Sequence, residues 1–246
     1  MKSLRWGLII ICAGICIISM LFAPAWADGN KKNKKSVPPY DAENFVVEDI
    51  DNPFWPLTPG TTFIYEATDE SERNEVYVSY DTRAVAGVTC VVVEDSAWEG
   101  DLLVEYTEDW YAQDKDGNVW YFGEYSEQYE YDDDGNLIAT TTEGSWEAGV
   151  DGAEPGIVML ANPQPGASYR QEYYEDLAED MAKVLRLNAS VSVPYGDFED
   201  CLKTKEWTPL EPGAIEHKYY ARGVGLILVE ELKDNKRVEL IDIITE

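Results

Sequence analysis

The stretch WYAQDKDGNVWY at residues 110–121 is the clearest indication of β structure in this chain. Aromatic residues at both ends flank the pair Asp116-Gly117, and Asp-Gly supplies the positive φ angles that a tight turn between two strands needs. The stretch YEYDDDGNLI at residues 129–138 repeats this arrangement around a second Asp-Gly pair. The two stretches therefore predict two β-hairpins that follow each other closely in the chain.

Apolar side chains recur at a period of two outside these hairpins, which is typical of strands with one buried face. The alternation is clear at residues 61–67, 76–80 and 102–106. Four more strands are expected at residues 202–207, 215–220, 226–232 and 238–244. We therefore predict a mainly β fold: a strongly curved antiparallel sheet or partly closed β-barrel of roughly ten to twelve short strands, with at most one short helix.

The short helix would lie at residues 174–186, where apolar residues such as Leu177 and Met181 recur at helical spacing. A strand across residues 183–193 competes for part of the same segment. The choice between helix and strand at residues 174–190 therefore stays open. Glycine and proline crowd residues 144–168, which predicts a long ordered loop before this segment.

The first 27 residues have the features of a secretory signal peptide. Lys2 and Arg5 precede an apolar run at residues 8–22, and small residues at either end of the triplet 25–27 suit a cleavage site. An uncleaved membrane anchor is the alternative, although the run is shorter than the roughly 20 residues of a spanning helix. We expect an exported protein, periplasmic or extracellular, without stable membrane insertion after cleavage.

The mature chain is expected to contain one domain. Residues 28–52 are rich in lysine and poor in apolar side chains, so they predict a flexible leader. No internal linker or long repeat divides the remainder, which predicts a single β domain at residues 53–246. The sequence does not indicate an oligomeric state.

Acidic residues dominate the charge of the chain, with 48 Asp and Glu against 19 Lys and Arg and a formal net charge of −29. Repulsion from phosphates argues against nucleic acid as a partner. Residues 84–169 hold 19 acidic residues and the single cation Lys115, a balance that favours a bound cation. Weak calcium candidates lie in the two aspartate-rich turns: Asp114, Asp116, Asp132 and Asp134. Plain hairpin turns on a solvated acidic surface are the alternative interpretation.

Two cysteines follow the signal segment, Cys90 and Cys201. An oxidising compartment allows a disulfide between them, and that bond is our expectation for the exported protein. Each cysteine also lies in an apolar strand-like stretch, where a buried free thiol behaves as a small hydrophobe. Both interpretations stay open on the sequence.

Catalytic motifs are few in this sequence. A single histidine, His217, argues against the usual zinc sites, and no phosphate-binding loop, dinucleotide fingerprint or serine elbow is present. If the protein is an enzyme, a metal-independent hydrolase or lyase would use His217 with Glu216 or Glu172 as acid–base groups. On a strand, Glu216 and Lys218 would point to one face and His217 to the other.

Three stretches resemble a set of uncharacterised bacterial exported proteins: NPFWPLTPGTT at residues 52–62, VPYGDF at 193–198 and HKYYARGVGL at 217–226. The members of this set have a Pro-Leu-x-Pro-Gly opening strand and a Tyr-Tyr-Ala-x-Gly-Val-Gly-Leu closing hairpin. The resemblance spans residues 52–232. It implies a fold similar to the half-barrel of periplasmic lipoprotein carriers and an exported location, and it implies no functional residue.

The sequence is rich in aromatic side chains, with 8 Trp, 16 Tyr and 6 Phe. Tyrosine and tryptophan suit the walls of ligand sites, and they also fill β cores. The function we expect is an exported non-catalytic binding protein without an organic cofactor, which holds a small or apolar, lipid-like ligand on an aromatic-lined curved sheet. The alternatives are the enzyme described above and an interaction module of the cell envelope.

Overall fold

The computed structural model describes residues 39–46 and 50–246, so the predicted signal peptide lies outside the described residues. Within the described part, the one helical element is a 3₁₀ turn at Ala42–Asn44, and the other regular elements are strands. The strands are β1 Thr61–Ala67, β2 Arg73–Val85, β3 Val88–Glu99, β4 Leu102–Gln113, β5 Val119–Tyr131, β6 Leu137–Thr141, β7 Trp146–Glu147, β8 Glu154–Met159, β9 Ser168–Arg170, β10 Glu172–Tyr173, β11 Met181–Val193, β12 Gly196–Trp207, β13 Ile215–Ala221, β14 Gly225–Glu231 and β15 Lys236–Thr245. The mainly β fold and both predicted hairpins are confirmed.

All fifteen strands form one antiparallel sheet in the order β10-β8-β5-β4-β3-β2-β1-β15-β14-β13-β12-β11-β9, and β6 and β7 both pair with β5. The first long strand, β1, pairs with the last, β15, so the two ends of the domain meet in the middle of the sheet. The hydrogen-bonded ladder is not closed into a complete barrel. Curvature comes in part from β-bulges, which bend a strand locally; register shifts occur in β1, β2, β4 and β13, among others.

The two edges of the sheet meet at residues 168–173. The first part of this segment is β9, which pairs with β11, and the second part is β10, which pairs with β8 on the opposite edge. Gly156 on β8 allows the close approach, because a Cβ atom at this position would lie 2.4 Å from the carbonyl carbon and oxygen of Gln171. The sheet therefore surrounds an interior without a continuous ladder around it.

One face of the sheet lines this interior. Directly opposed residues in an antiparallel pair share a face, and the pairs Asp95–Thr107 and Thr107–Ser126 place three buried polar side chains side by side on β3, β4 and β5. On the same face, but on the distant strands β12, β13 and β14, Glu206 is opposite Glu216 and Glu216 is opposite Glu231. The interior thus has a polar, mostly acidic band.

Residues 39–46, near the end of the predicted leader, pack against the domain. The Phe45 ring lies 5.8 Å from Trp120 and 5.3 Å from Phe122, measured between ring centroids. The backbone N–H of Val46 donates to the carbonyl of Gln113 at 3.0 Å. Since Trp120 and Phe122 alternate with the inward-facing Tyr121, this segment covers the outer face of β4 and β5.

At residues 174–190, where the sequence allowed either a helix or a strand, the structure has a strand. The chain turns at residues 174–180 and then runs as β11, Met181–Val193, so no helix forms at residues 174–186. The predicted loop at residues 144–168 contains two short strands, β7 and β8. No helix in the described part of the chain is long and apolar enough to cross a membrane.

Candidate functional site

A pocket opens at one end of the curved sheet, between the inner faces of β1, β2, β3, β4, β13 and β14. Its volume is about 70 Å³. It is lined by Trp55, Pro56, Leu57, Phe63, Tyr65, Val76, Val93, Asp95, Asp109, Tyr111, Lys218, Tyr220, Val224, Gly225 and Leu226. Apolar and aromatic side chains form most of the wall, and the charged groups are two aspartates and one lysine.

Three aromatic rings pack together at the pocket. The Trp55 ring centroid lies 5.7 Å from that of Tyr111 and 5.8 Å from that of Tyr220, and both ring pairs are tilted. Tyr111 also stacks on Tyr121 at 5.0 Å. Rings at these separations attract each other beyond the area that they bury, so this wall is held in place by its own packing.

The segment before β1 places Trp55 in the wall of the pocket. Asn52 fixes this segment from both sides of its side chain: Nδ2 donates to the carbonyl of Gly117 at 2.8 Å, and Oδ1 accepts from the N–H of Phe54 at 2.9 Å. The backbone N–H of Asn52 donates to Gln113 Oε1 at 2.9 Å. Trp55 therefore sits on a buried anchor, although it lies outside the regular strands.

Lys218 brings a cation into the interior and is paired there. Its Nζ lies 3.1 Å from Glu206 Oε2 and 3.4 Å from Glu216 Oε2, and its side chain is 6% exposed. Burial lowers the pKa of Lys218, but the two glutamates outweigh burial and raise it above the ordinary value. Lys218 is therefore a charged ammonium whose positive charge is matched by neighbouring carboxylates.

Glu206 is the best satisfied carboxylate of the interior. Its Oε1 accepts from Thr204 Oγ1 at 2.7 Å and from the hydroxyl of Tyr220 at 2.9 Å, and its Oε2 accepts from Gln171 Nε2 at 3.3 Å. Together with Lys218, these donors provide hydrogen-bond partners for both carboxylate oxygens. Tyr220 thus connects the aromatic wall of the pocket to the ion pair beneath it.

Asp109, on β4, is a second buried carboxyl group that is held by hydrogen bonds at the pocket. Its Oδ1 accepts from the Tyr121 hydroxyl at 2.5 Å, and its Oδ2 accepts from Thr107 Oγ1 at 3.0 Å. Asp109 and Asp95 both line the pocket and are buried. The lining therefore carries two carboxylates from β3 and β4 that face the aromatic rings from Trp55 and β13.

The carboxyl groups further along β4 and β5 are pushed toward their neutral form. Burial, with the nearby charges of Asp95 and Asp109, raises the pKa of Glu105 to about 8, although Ser126 Oγ donates to it at 2.7 Å. Burial also raises the pKa of Glu124 well above its usual range, and the charge of Asp109 adds to the effect. The acidic band is thus partly protonated at neutral pH, because so many carboxylates share one desolvated space.

A second ion pair closes the band near the start of β2. Lys236 is paired with Glu72 and lies 3.4 Å from Glu231 Oε1. Burial raises the pKa of Glu231 to about 7; Lys236 opposes this shift, and the charge of Glu72 reinforces it. The interior therefore has two paired lysines among many carboxylates.

The three residues considered for catalysis are not brought together. Glu216 lies inside with Lys218, and Glu172 is fully buried on β10 with a pKa raised by burial and by Asp180. His217 points to the other face of β13, as the alternation predicts, where its Nδ1 lies 3.7 Å from Glu230 Oε2. Burial and the charge of Lys203 lower the pKa of His217. None of these three side chains lines the pocket.

The four calcium candidates lie on two separate turns at opposite ends of β5. Asp114 is used within its own turn: Oδ1 accepts from the N–H of Asp116 and of Asn118, and Oδ2 accepts from Trp120 Nε1 at 2.9 Å. Asp132 makes the corresponding bonds to its own turn. Across residues 39–46 and 50–246, no group of three or more acidic, histidine or cysteine side chains is arranged to hold a metal ion. The geometry fits hairpin turns.

The disulfide expected between Cys90 and Cys201 is wrong for this structure, in which both are buried free thiols. Cys90 lies on β3 and Cys201 on β12, and five strands separate these two in the sheet order. Burial raises the pKa of the Cys90 thiol to about 12 and also raises that of Cys201. Each cysteine therefore acts as a small apolar side chain of the core.

Sequence reasoning missed most of the pocket. Trp55 and Tyr220 belong to the quoted stretches, but nothing in them indicated a site. Asp109 and Glu105 were hidden because the apolar residues of β4 suggested that the other phase of this strand faced inward. The available signal was Glu105, Thr107 and Asp109, three polar residues at alternating positions within a strand that also carries aromatic residues. Such a run is costly to bury unless it lines a polar interior.

Comparison with known proteins gives limited information. No protein-family model matches the chain. No curated protein matches it. Among solved structures, the chain is similar to a "putative lipoprotein" from Parabacteroides distasonis ATCC 8503, with 12% identity over 78% of this chain and 99% of that chain, and a TM-score of 0.41. Similarity at this level transfers neither a ligand nor the role of any residue.

Proposed function

We propose that this chain is an exported, non-catalytic binding protein that holds a small ligand with a largely apolar body in the pocket beside Trp55. The observation that carries the proposal is the pocket itself. Its wall combines rings and aliphatic side chains with a few polar groups. Small-molecule sites in proteins commonly have this composition. Export is part of the proposal and rests on the signal-like sequence before residue 28.

The polar groups of the lining would orient the ligand. Asp95 and Asp109 come from β3 and β4 and Lys218 comes from β13, whereas Leu57, Val76 and Leu226 are aliphatic residues of the same lining. A ligand with one polar end and one apolar end would bury its apolar part against the aliphatic residues and hydrogen-bond at its other end.

The two alternatives have less support. The enzyme would need His217 in a cleft with an acidic partner, whereas His217 and the pocket are on opposite faces of β13. An envelope interaction module would expose a broad apolar patch, typically a few hundred Å². The adjacent exposed residues Leu137 and Ile138 on β6 offer one small apolar area.

A pocket-filling variant tests the binding proposal. The protein is purified after export, and the small molecules released on denaturation are identified by mass spectrometry; the emptied protein is then exposed to a metabolite and lipid extract and its melting temperature is measured. Val76→Phe fills the pocket, and Val150→Phe is the matched control because Val150 is exposed and outside the lining. We expect a bound compound or a melting shift with the wild type and V150F, and neither with V76F.

The same experiment contains the contradicting result. If V76F releases the same compounds and shows the same melting shift as the wild type, the pocket is not the binding site. If no protein in the set releases a compound or changes its melting temperature, the binding function itself is wrong.

A further inference from the structure

The charges around the pocket indicate what its ligand carries. Asp95 and Asp109 are the two carboxylates of the lining, and Lys218 is its cation. The charge of Lys218 is already matched by Glu206 and Glu216, at 3.1 and 3.4 Å. The lining and its ion-pair partners therefore hold four carboxyl groups against one ammonium.

An anionic ligand would be repelled in this pocket. It would lie beside Asp95 and Asp109, the two carboxyl groups of the lining. Repulsion between like charges is strong in a space with little water.

The aromatic wall favours a particular kind of cation. Trp55 contacts Tyr111 and Tyr220 at centroid distances of 5.7 and 5.8 Å, and all three rings line the pocket. Aromatic faces attract cations, and tryptophan does so most strongly. Alkyl groups on an ammonium would also suit the aliphatic residues of the lining, Leu57, Val76 and Leu226. A metal ion, by contrast, needs several converging oxygen ligands.

We infer that the pocket recognises a small alkylated ammonium compound, with its positive charge beside Asp95 and Asp109 and its alkyl groups against Trp55, Tyr111 and Tyr220. This inference rests on the proposed binding function and names the class of ligand for the same pocket. The aspartates provide the charge, the rings provide the attractive faces, and the aliphatic side chains exclude water.

Three probes of nearly equal shape test the role of charge. Choline is the cation, 3,3-dimethylbutan-1-ol is its neutral carbon isostere, and 3,3-dimethylbutanoate is an anion with the same tertiary butyl group. Binding of each to the exported protein is measured by isothermal titration calorimetry at constant ionic strength. We expect choline to bind at least about tenfold more tightly than the alcohol, and the anion to bind most weakly.

Two variants assign the preference to the aspartates. Asp109→Asn keeps the shape of the side chain and removes one charge from the lining, and it should reduce the choline preference by about tenfold. Asp101→Asn removes the same charge from the exposed β3–β4 turn and should leave the preference unchanged. Circular dichroism confirms that each variant is folded. Asp95→Asn repeats the test if D109N does not fold.

The outcomes separate this inference from the proposed function. If the alcohol binds as tightly as choline, or the anion binds best, the ammonium inference is wrong and the binding function stands. If none of the three probes binds while the extract in the previous experiment shifts the melting temperature, the ammonium inference is again wrong. Equal choline preference in D109N, D101N and the wild type contradicts the assigned role of the aspartate.

Discussion

The ammonium of Lys218 lies 3.1 Å from the carboxylate of Glu206 inside the curved sheet, and both side chains are less than 10% exposed. The two residues are on adjacent strands, β13 and β12, and Glu206 also accepts from Tyr220 and Thr204. A buried charge of this kind is tolerated only while its partner is present. The ion pair therefore holds the floor of the pocket in a single arrangement.

The first prediction concerns this ion pair. Lys218→Met leaves Glu206 buried without its cation, and we expect the free energy of unfolding to fall by about 3–5 kcal/mol. The double variant Lys218→Met/Glu206→Gln should lose less stability than K218M alone, because only Glu216, and no longer Glu206, is left without the ammonium. Urea denaturation followed by tryptophan fluorescence measures both. Lys233→Met removes an exposed cation paired with Glu211 and serves as the control; a loss as large as that of K218M would contradict the account.

The second prediction concerns the pH dependence of stability. Burial raises the pKa of Glu105 to about 8 and that of Glu231 to about 7, whereas an unfolded glutamate titrates near pH 4.3. Between about pH 4.3 and 8 the folded state therefore binds more protons than the unfolded state, so the free energy of unfolding decreases as the pH rises. Urea midpoints at several pH values in this window measure the slope.

The variant Glu105→Gln tests the cause of that slope. Glutamine can still accept the hydrogen bond from Ser126, and it does not ionise. The decrease of the free energy of unfolding between pH 6 and 8 should therefore become shallower. Part of the decrease should remain, because Glu105 is one of several buried carboxyl groups. Glu130→Gln, at an exposed position on β5, should leave the slope unchanged. A wild-type stability that increases from pH 6 to 8 would be incompatible with protonated carboxyl groups in the interior.

The third prediction separates a structural from a metal-binding role for the first aspartate-rich turn. Asp114→Ala removes the acceptor of Trp120 Nε1, which lies in a buried side chain, and of two backbone N–H groups. We expect the free energy of unfolding to fall by about 1–3 kcal/mol, measured by urea denaturation. Asp132→Ala, in the exposed second turn, should lower it by less. Calcium at millimolar concentration should not stabilise the wild type more than sodium at the same ionic strength; a specific shift that D114A abolishes would support the calcium site instead.

The fourth prediction concerns the thiols. In the exported protein, peptides that contain Cys90 and Cys201 should be recovered unlinked by mass spectrometry without reduction, because the two cysteines lie on strands β3 and β12 and are buried as free thiols. Both should react with a thiol reagent slowly in the native protein and rapidly in urea. A linked pair of peptides would show that the strands approach each other more closely than in this structure.

Local chemistry explains which parts of the fold the sequence predicted. The two Asp-Gly turns specify their hairpins within a few residues, and the structure has positive φ angles of 90° at Gly117 and 78° at Gly135. The last four strands were also predictable from alternation. The packing of Phe45 against the domain was not predictable, because its partners Trp120 and Phe122 are far away in the chain.

The pocket was not predictable because its walls come from strands distant in sequence, and because β4 reverses the usual pattern. Val104 and Tyr106 suggested that the even positions of this strand face the interior, whereas Glu105 and Asp109, at odd positions, are the inward residues. Polarity normally marks the exposed face. Here the acidic positions line the interior, where tyrosine hydroxyls, threonines and two lysines satisfy part of their charge.

The most direct test of the central claim is a crystal structure of the exported protein grown with an excess of choline. We expect ordered electron density for the ligand between Trp55, Tyr111 and Tyr220, with the ammonium within about 6 Å of a ring centroid and toward Asp109. Tetramethylarsonium, which has an anomalous signal and the same charge, would place the cation independently. A pocket that contains only water in crystals of both complexes, or one closed by the side chains of Trp55 and Leu226, would contradict the account.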